Sequence, residues 1–274
     1  MSALTQYTYD SNPDIIFNDN TTDPDNWYKL LSLLLDTEVR NVEDSDPEQG
    51  IIDYDSTLGK GLIEGRVALF AEDIANLNLL VQNLKKAFNP ILTELNSESD
   101  EGFLPLKWTM VLGVDSYNVQ VYAKPVEIPK IVLDENGAGG VARILMKAKD
   151  PIKVSQTQKT VTLTTAAATG TDTNDGDMPA YPTITITGPT NASPRITNQE
   201  TGEYIEINDT LAGGEVYVID TREATILKDG VNAYSAKTAA STFFNLRGGD
   251  VTLIATNLGA SGQAAVVYRD AWTL

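Results

Sequence analysis

The second half of the chain is dominated by short stretches in which aliphatic and polar residues alternate. Val161 and Leu163 alternate with threonines, and Ile184 and Ile186 do the same. An alternation of period two puts successive side chains on opposite faces of a strand, and the branched threonine side chain suits a pleated surface. About eight short strands at this spacing predict a β-sandwich or jelly roll over residues 151–274.

Three further segments complete this predicted sandwich. Val216–Ile219 is apolar on both faces and is therefore predicted to be a central strand. Lys228-Asp229-Gly230-Val231 is typical of a tight hairpin turn. Val251–Thr256 and Ala264–Tyr268 are predicted to form a closing pair of strands.

The first half has one segment with helical periodicity. Its apolar residues recur at spacings of three and four: Ile74, Leu77, Val81, Leu84 and Phe88. This spacing predicts a helix over residues 72–88 with one apolar face packed on a sheet. Acidic residues at its start and lysines at its end suit the helix dipole, and we interpret Asn89-Pro90 as its stop.

The remainder of the first half is predicted to be strands and turns. The predicted strands are Trp27–Leu35, Glu38–Val42, Leu62–Phe70, Leu106–Val111, Tyr117–Tyr122, Ile128–Leu133 and Val141–Ala148. Gly50–Leu62 is interpreted as turn-rich, and Asn136-Gly137 as the turn of a hairpin. Asp150-Pro151 is taken as a domain boundary, which gives an extended arm over 1–26, an N-terminal domain over 27–150 and a C-terminal domain over 151–274.

Composition narrows the classes of function. The chain of 274 residues has no cysteine and no histidine, so it has neither thiolate metal ligands nor an imidazole base. The net charge is −18, and an acidic surface repels DNA phosphates. The N-terminal MSALTQYTYD has no secretion signal and no apolar cluster is long enough to span a bilayer, so synthesis in a cytoplasm and no membrane insertion are expected.

One acidic cluster has the oxygen ligands that calcium prefers. It comprises Asp172, Asn174, Asp175 and Asp177. The match to a helix-loop-helix calcium loop fails, because Gly176 is fifth instead of sixth and Thr183 occupies the position of the required glutamate. The alternative is a solvated, mobile loop between Ala166 and Met178.

Other candidate sites also have simpler explanations. Asp220 could be a catalytic carboxylate at a strand end, but an aspartate there commonly bonds the backbone of the following turn. Gly139-Gly140 and Gly213-Gly214 lack the context of a phosphate loop and are interpreted as turns. Surface aromatic residues could stack on sugars, although most are expected in the core: Tyr181, Tyr204, Tyr217, Tyr234, Phe243, Phe244, Tyr268 and Trp272. We therefore predict no catalytic, cofactor-binding or metal residue, and no enzyme.

The order of motifs in the second half resembles the distal tail proteins of long-tailed bacteriophages. The stretch that ends at Leu274 contains, in order, YPTITITGPT, NQETGEYIEIND, GGEVYVIDTREATILKDGVN and STFFNLRGGDVTLIATN. The first half is more loosely similar, through Gly65-Arg66 leading a strand and through Ala148-Lys149-Asp150-Pro151 at the domain junction. Lys149 and the turn Arg247-Gly248-Gly249-Asp250 depart from the family pattern.

The resemblance implies a mainly β fold with an N-terminal β-sandwich that carries one helix and a β-hairpin extension, followed by a galectin-like C-terminal β-sandwich. It also implies a hexameric ring in the virion, at the tail tip, with a channel through which DNA only passes. The implied partners are further copies of this chain, the tail tube protein, a tail hub or tail-associated protein, and receptor-binding proteins. No cofactor is implied. Six copies would carry a charge of six times −18, so subunit contacts poor in Asp and Glu are expected, with acidic residues on the lumen or outer surface.

Two other classes of function stay open on sequence grounds. An adsorption protein could bind cell-surface carbohydrate through its sandwich domain without forming a ring. A glycosidase would need two carboxylates several Å apart, and no second carboxylate is placed beside Asp220 by sequence.

Overall fold

The structure is a computed structural model that describes residues 6–11, 14–18, 27–45, 52–96, 102–112, 114–134, 139–150 and 152–273. It is mainly β, with two α-helices and one 3-10 turn within those ranges, which confirms the predicted fold class. The chain divides into an N-terminal unit, residues 1–153 with Leu274, and a C-terminal unit, Val154–Thr273.

The N-terminal unit contains eight strands and both helices within the described ranges. These are β1 (Tyr7–Tyr9), β2 (Ile15–Phe17), β3 (Trp27–Ser45), β4 (Ile52–Phe70), α1 (Ile74–Ala87), α2 (Pro90–Asn96), β5 (Leu104–Leu112), β6 (Asp115–Pro125), β7 (Lys130–Leu133) and β8 (Gly139–Ala148). A further strand, β9 (Ile152–Ser155), includes the residues at which the chain passes from one unit to the other.

The strands of the N-terminal unit form one sheet that closes on itself. Their order is β6-β5-β1-β2-β3-β4-β8-β7, and β6 pairs with β8 as well. Strand β8 therefore has β4 on one side, and β7 and β6 on the other. These pairs are antiparallel, whereas β2 and β3 run parallel with Phe17 opposite Tyr28.

A long hairpin replaces one of the predicted turn regions. Strands β3 and β4 have 19 residues each and pair from Trp27 opposite Phe70 to Ser45 opposite Ile52. The turn-rich interpretation of Gly50–Leu62 is wrong from Ile52 onwards, because those residues belong to β4. Ladder hydrogen bonds join backbone groups, so a polar, glycine-containing segment can still be a strand when its partner is in register.

Helix α1 confirms the predicted helix, but Asn89-Pro90 does more than end it. The Asp73 carboxylate caps α1 by accepting a hydrogen bond from the backbone N–H of Asn76 at 2.7 Å. The Asn89 side chain then accepts from the backbone N–H of Ile91 at 3.0 Å, and Pro90 is the first residue of α2. Proline suits the first position of a helix because the N–H that it lacks would have no partner there. The expectation of a single helix is wrong, because Pro90 starts a second one.

The buried aromatic residues of the N-terminal unit join its helices to its sheet. The rings of Tyr9 and Phe88 stack at 4.9 Å between centroids, and Phe17 lies 6.3 Å from both Phe88 and Tyr28. The Tyr28 hydroxyl donates to the carbonyl of Leu80 in α1 at 2.7 Å. Burial raises the pKa of the Tyr28 hydroxyl, so it stays a donor at any physiological pH.

The C-terminal unit is built from two sheets around one core. Its elements are β10 (Lys159–Thr164), β11 (Thr169–Asn174), β12 (Thr183–Thr187), β13 (Thr190–Asn198), β14 (Tyr204–Glu206), β15 (Val216–Asp220), β16 (Thr225–Lys228), β17 (Val231–Asn232), a 3-10 turn (Tyr234–Ala236), β18 (Gly249–Leu258), β19 (Gln263–Tyr268) and β20 (Ala271–Thr273). One sheet has the order β10-β19-β12-β15-β16-β17 and the other β11-β18-β13-β14. Aliphatic side chains from both sheets form the core.

Several predictions for this unit are confirmed, but the predicted closing pair is wrong, because β18 and β19 belong to different sheets. Val216–Ile219 lies in β15, which is central because β12 and β16 pair with its two edges. The tight turn is present as well, with Lys228 opposite Val231. Asp229 and Gly230 have φ angles of 49° and 82°, as a two-residue hairpin turn of this kind requires.

Two turn or loop predictions need correction. Gly139-Gly140 begins strand β8, where a Cβ on Gly140 would lie 2.8 Å from the carbonyl oxygen of Val132. The segment predicted as a mobile loop between Ala166 and Met178 contains β11, which pairs with β18 over its full length. The Asn136-Gly137 turn, most of the arm over 1–26 and Pro151 lie outside the described residues, although β7 and β8 do pair as the predicted hairpin.

Candidate assembly surface

The end of β5 and the turn that follows it expose three aliphatic side chains. Leu112 pairs with Asp115, and Val114 lies in the turn that joins the two strands. Val111, Leu112 and Val114 have exposed fractions of 63%, 48% and 97%. We call these three residues the apolar tip. Aliphatic side chains that are exposed together at the end of a strand indicate a contact surface.

The two helices also expose aliphatic side chains. Leu77, Leu80 and Leu84 of α1 are buried, whereas Leu79 points outward and is 54% exposed. Ile74, predicted on the packed face, is 63% exposed because it lies in the first turn of the helix, before the face closes on the sheet. Ile91 of α2 is 68% exposed.

A surface pocket lies where the helices meet the sheet. It is lined by Asp10, Ser11, Lys86, Ala87, Leu92, Thr93 and Leu104, and we call it the helix pocket. The Thr93 hydroxyl is bonded to the carbonyl of Asn89 at 2.9 Å, and Asp10 forms an ion pair with Lys107. The pocket therefore has two charged lining residues, the exposed Lys86 and Asp10, whose side chain stays 31% exposed although it is paired with Lys107.

The edge of the closed sheet is a third apolar region. Strand β7 ends the strand order, so one side of its backbone has no partner strand within the described residues. Val126, Ile128, Val132 and Leu133, on β7 and on the connection before it, are exposed. A short apolar edge strand is a site at which another chain can add a strand or pack its side chains.

Ion pairs hold charged residues of the N-terminal unit against its own sheet. Arg143 of β8 makes two bonds to the Glu64 carboxylate of β4, at 2.8 and 3.2 Å. The hydrogen bond to Arg143 lowers the pKa of Glu64, and the same bond raises the pKa of Arg143. These two charges therefore satisfy each other within one copy of the chain.

The acidic cluster of the C-terminal unit is occupied by internal contacts. The Asn174 side chain donates to the carbonyls of Met178 and Leu246, and its oxygen accepts from the backbone of Gly176. Asp177 accepts from the backbone N–H of Thr273 at 2.8 Å. No group of three acidic, histidine or cysteine residues with the geometry of a metal site occurs within the described part of the chain.

The remaining two carboxylates of that cluster also bond within the protein. Asp172 accepts from the backbone N–H of Thr173 at 2.8 Å, and Asp175 accepts from the Lys159 ammonium at 2.7 Å. Because the four side chains point to different partners, the structure does not bring them together around one point.

Asp220 has the structural role that was expected from the sequence, since it bonds the backbone of the following turn. Its carboxylate accepts from the backbone N–H groups of Arg222 and Glu223, both at 2.9 Å. It thereby fixes the turn that follows β15. Gly213-Gly214 is a turn, as predicted, and Gly214 has a φ of 91°.

The aromatic candidates divide between core and surface. Tyr217, Phe244, Tyr268 and Trp272 are buried, which is half of the eight and fewer than the majority that was expected. The ring of Tyr204 is covered by the guanidinium of Arg195 at 4.1 Å, and that of Tyr181 is approached by Arg222 at 5.4 Å. Tyr234 is 50% exposed and stacks on Phe243 with 6.1 Å between ring centroids, which leaves one aromatic platform open to solvent.

One charged cluster was missed by the sequence analysis. The Lys159 ammonium lies 2.7 Å from Asp175 and 2.9 Å from Asp270, and the Asp270 carboxylate is almost fully buried. Burial raises the pKa of Asp270 although the bond to Lys159 opposes the shift. Burial acts to lower the pKa of Lys159, but its two carboxylate partners outweigh that effect and raise it. The cluster joins β10 to the end of β19, residues too far apart in sequence for any motif to connect.

The apolar tip and the helix pocket were also missed. Val111 was predicted only as the end of a strand, and α2 was not predicted at all. A signal for the tip was available, since Val111-Leu112-Gly113-Val114 has no polar side chain at a position between two strands. Neither α1 nor α2 is long and apolar enough to cross a bilayer, and these are the helices of the described residues.

Comparisons with known proteins agree with this architecture. Residues 175–272 match the family model described as a siphovirus-type tail component, C-terminal domain. The crystal structure of the Dit protein (gp 19.1) of phage SPP1 is similar over 98% of this chain and 99% of that one, with 13% identity and a TM-score of 0.64. It is described as a paradigm of the hub adsorption apparatus in phages that infect Gram-positive bacteria.

A second solved structure is less similar. The phage p2 baseplate in its activated conformation with Sr matches over 96% of this chain and 98% of that one, with 10% identity and a TM-score of 0.44. No curated protein matches the chain. Residues 175–272 are therefore similar to the C-terminal domain of a siphovirus-type tail component, and the chain as a whole shares the fold of the SPP1 Dit protein.

Proposed function

We propose that this protein forms a hexameric ring at the end of the tail tube and joins the tube to the tip or baseplate. In this proposal the N-terminal unit makes the ring, and the C-terminal unit serves as a platform for further tip proteins. DNA passes through the central channel without binding. The tube protein, a tail hub or tail-associated protein and receptor-binding proteins are the proposed partners.

The distribution of exposed apolar side chains carries the proposal. Among the described residues, fifteen large hydrophobic residues are exposed in the N-terminal unit and three in the C-terminal unit. The fifteen include the apolar tip, the outward face of α1 and α2, and the residues around β7. Surfaces of this kind mark protein interfaces, and a domain that exposes several separate ones suits contact with more than one neighbour.

Charge supports the same assignment. Six copies would carry a net charge of six times −18. An assembly tolerates the resulting repulsion when its carboxylates face water and not each other. The apolar tip and β7 are among the described parts of the surface that expose aliphatic side chains. An acidic lumen would also keep DNA from adhering to the channel wall.

The mass of the purified protein in solution tests the proposal. Light scattering across a concentration series is expected to give six times the 29.7 kDa of the chain at high concentration. Electron microscopy of the same peak is expected to show six-fold rings with a central hole. A chain that stays monomeric over the whole series, without rings, would contradict the proposal.

One observation favours a second candidate function, adsorption to cell-surface carbohydrate. Tyr234 presents an open ring face supported by Phe243, and sugars stack on such faces. Saturable binding of purified cell-wall polysaccharide that is lost in Tyr234→Ala would support adsorption. Rings without polysaccharide binding would favour the structural role alone.

A further inference from the structure

The two most distinctive surface features of the N-terminal unit lie at opposite ends of one strand. Strand β5 begins at Leu104, which lines the helix pocket, and ends at Leu112, which belongs to the apolar tip. A strand rises about 3.3 Å per residue, so nine residues separate the two features by roughly 26 Å. The unit therefore presents a projection at one end and a recess at the other.

The projection and the recess have complementary chemistry. The apolar tip offers three aliphatic side chains, with one carboxylate, Asp115, beside them. The helix pocket offers the side chains of Leu92 and Leu104, with the exposed Ile91 next to it. Its charged lining residues are Lys86, which is exposed, and Asp10, whose carboxylate is already paired with Lys107. Aliphatic groups would meet aliphatic groups, and a carboxylate would meet an ammonium.

We propose that the apolar tip of one copy docks into the helix pocket of the next copy, with Asp115 facing Lys86. This inference rests on the proposed ring and names its subunit contact. A second copy is the favoured occupant because one chain carries both halves of the contact. Tip and pocket are different surfaces, so the contact is head-to-tail, and such contacts repeat around a closed ring when the rotation between copies allows it.

Cysteine crosslinking tests the contact directly, because the chain has no cysteine of its own. The double variant Val114→Cys/Ile91→Cys is expected to form a ladder of disulfide-linked species up to the full ring under mild oxidation. Each single variant alone gives no ladder. Mixing the two single variants is expected to give one linked dimer containing one chain of each kind, which shows that the contact joins different molecules.

A matched control separates docking from chance collision. Val114→Cys/Val231→Cys moves the second thiol to an equally exposed site in the C-terminal unit, and it is expected to crosslink at least tenfold more slowly. Equal rates for the two pairs would overturn the proposal.

Charge exchange tests the polar part of the contact. Asp115→Lys and Lys86→Glu are each expected to weaken ring formation about tenfold, because like charges then meet across the contact. The double variant Asp115→Lys/Lys86→Glu restores opposite charges and is expected to recover most of the loss. Effects that simply add in the double variant would show that the two residues do not meet.

The outcomes also separate this inference from the proposed function. Val114→Asp is expected to raise the dissociation constant of the ring about a hundredfold, since it would bury a charge among aliphatic groups. Rings that form normally in Val114→Asp, without crosslinking of the Val114–Ile91 pair, would overturn the docking and leave the ring intact. Absence of rings from the wild-type chain would remove the proposed ring itself.

Discussion

The two units of this protein differ in how many of their large apolar side chains are exposed. In the C-terminal unit, β12 directs Ile184 and Ile186 into the core and its threonines outward, so few large apolar side chains reach the surface. In the N-terminal unit, Val132 and Leu133 are neighbours on one strand and both are exposed. One unit is complete as a single copy, whereas the other leaves apolar surface that neighbours can cover.

The largest expected effect lies in the closed core of the C-terminal unit. Phe244 is buried among residues from both sheets, so Phe244→Ala should lower the free energy of unfolding by about 3–5 kcal/mol. Phe243→Ala removes the same ring from a partly exposed position and should cost less than half as much. Urea denaturation followed by circular dichroism measures both, and equal losses would show that the core is not as closed as its burial indicates.

A backbone contact in the same unit should give the next largest effect. A Cβ on Gly176 would lie 1.8 Å from the carbonyl oxygen of Ala271, so Gly176→Ala forces the backbone apart. We expect a loss of about 1–3 kcal/mol in the free energy of unfolding. Gly213→Ala, where the added Cβ meets nothing within 4 Å, should change it by less than about 0.5 kcal/mol.

A smaller effect should depend on pH. The Asp209 carboxylate accepts hydrogen bonds from Lys228 and Tyr217, both at 2.9 Å, and the bond to Lys228 lowers its pKa. Because the pKa of Asp209 is lower in the folded state, this carboxylate stabilises the fold at any pH above its ordinary pKa of 3.8. The stabilisation is lost as the pH falls through the lower pKa of the folded state. The pair is about one third exposed, so Asp209→Asn should cost only about 0.5 kcal/mol at pH 7.

Denaturation at a series of pH values checks this dependence. The difference between wild type and Asp209→Asn should shrink as the solution is acidified below about pH 4. Asp250→Asn, which removes an exposed carboxylate from β18, provides the matched change in net charge. A difference that grows on acidification would contradict the assigned sign.

The smallest effect on folding should come with the clearest effect on assembly. Val132 and Val231 have exposed fractions of 73% and 70%, one in each unit. Replacing either with serine should change the free energy of unfolding by less than about 0.5 kcal/mol. Light scattering should nevertheless show weaker assembly in Val132→Ser and unchanged assembly in Val231→Ser, and identical behaviour would end the distinction between the units.

Much of the C-terminal unit could be predicted because the apolar residues that alternate along its strands are also the ones that the fold buries. Alternating Ile and Thr marked β12, and Asp229-Gly230 marked the turn between β16 and β17. Helix α1 was found for the same reason, since its buried leucines recur with the helical period. In each case the signal lies within about fifteen residues of chain.

The errors occurred where the deciding interaction is distant in sequence. Residues 52–61 of β4 are polar and contain glycines, and they form a strand through their pairing with β3. Strand β11 was interpreted as a loop because its partner, β18, lies about eighty residues later. Lys159 and Asp270 are separated further still, so their ion pair leaves no local signal.

Strand β8 gives the N-terminal unit a mechanical property. Its backbone is hydrogen-bonded to β4 on one side and to β7 and β6 on the other. Tension along β8 would load both rows of bonds in shear, so many bonds would have to yield together. A strand held in this way resists force far better than one peeled from a free edge, so the N-terminal unit could transmit mechanical load without unravelling.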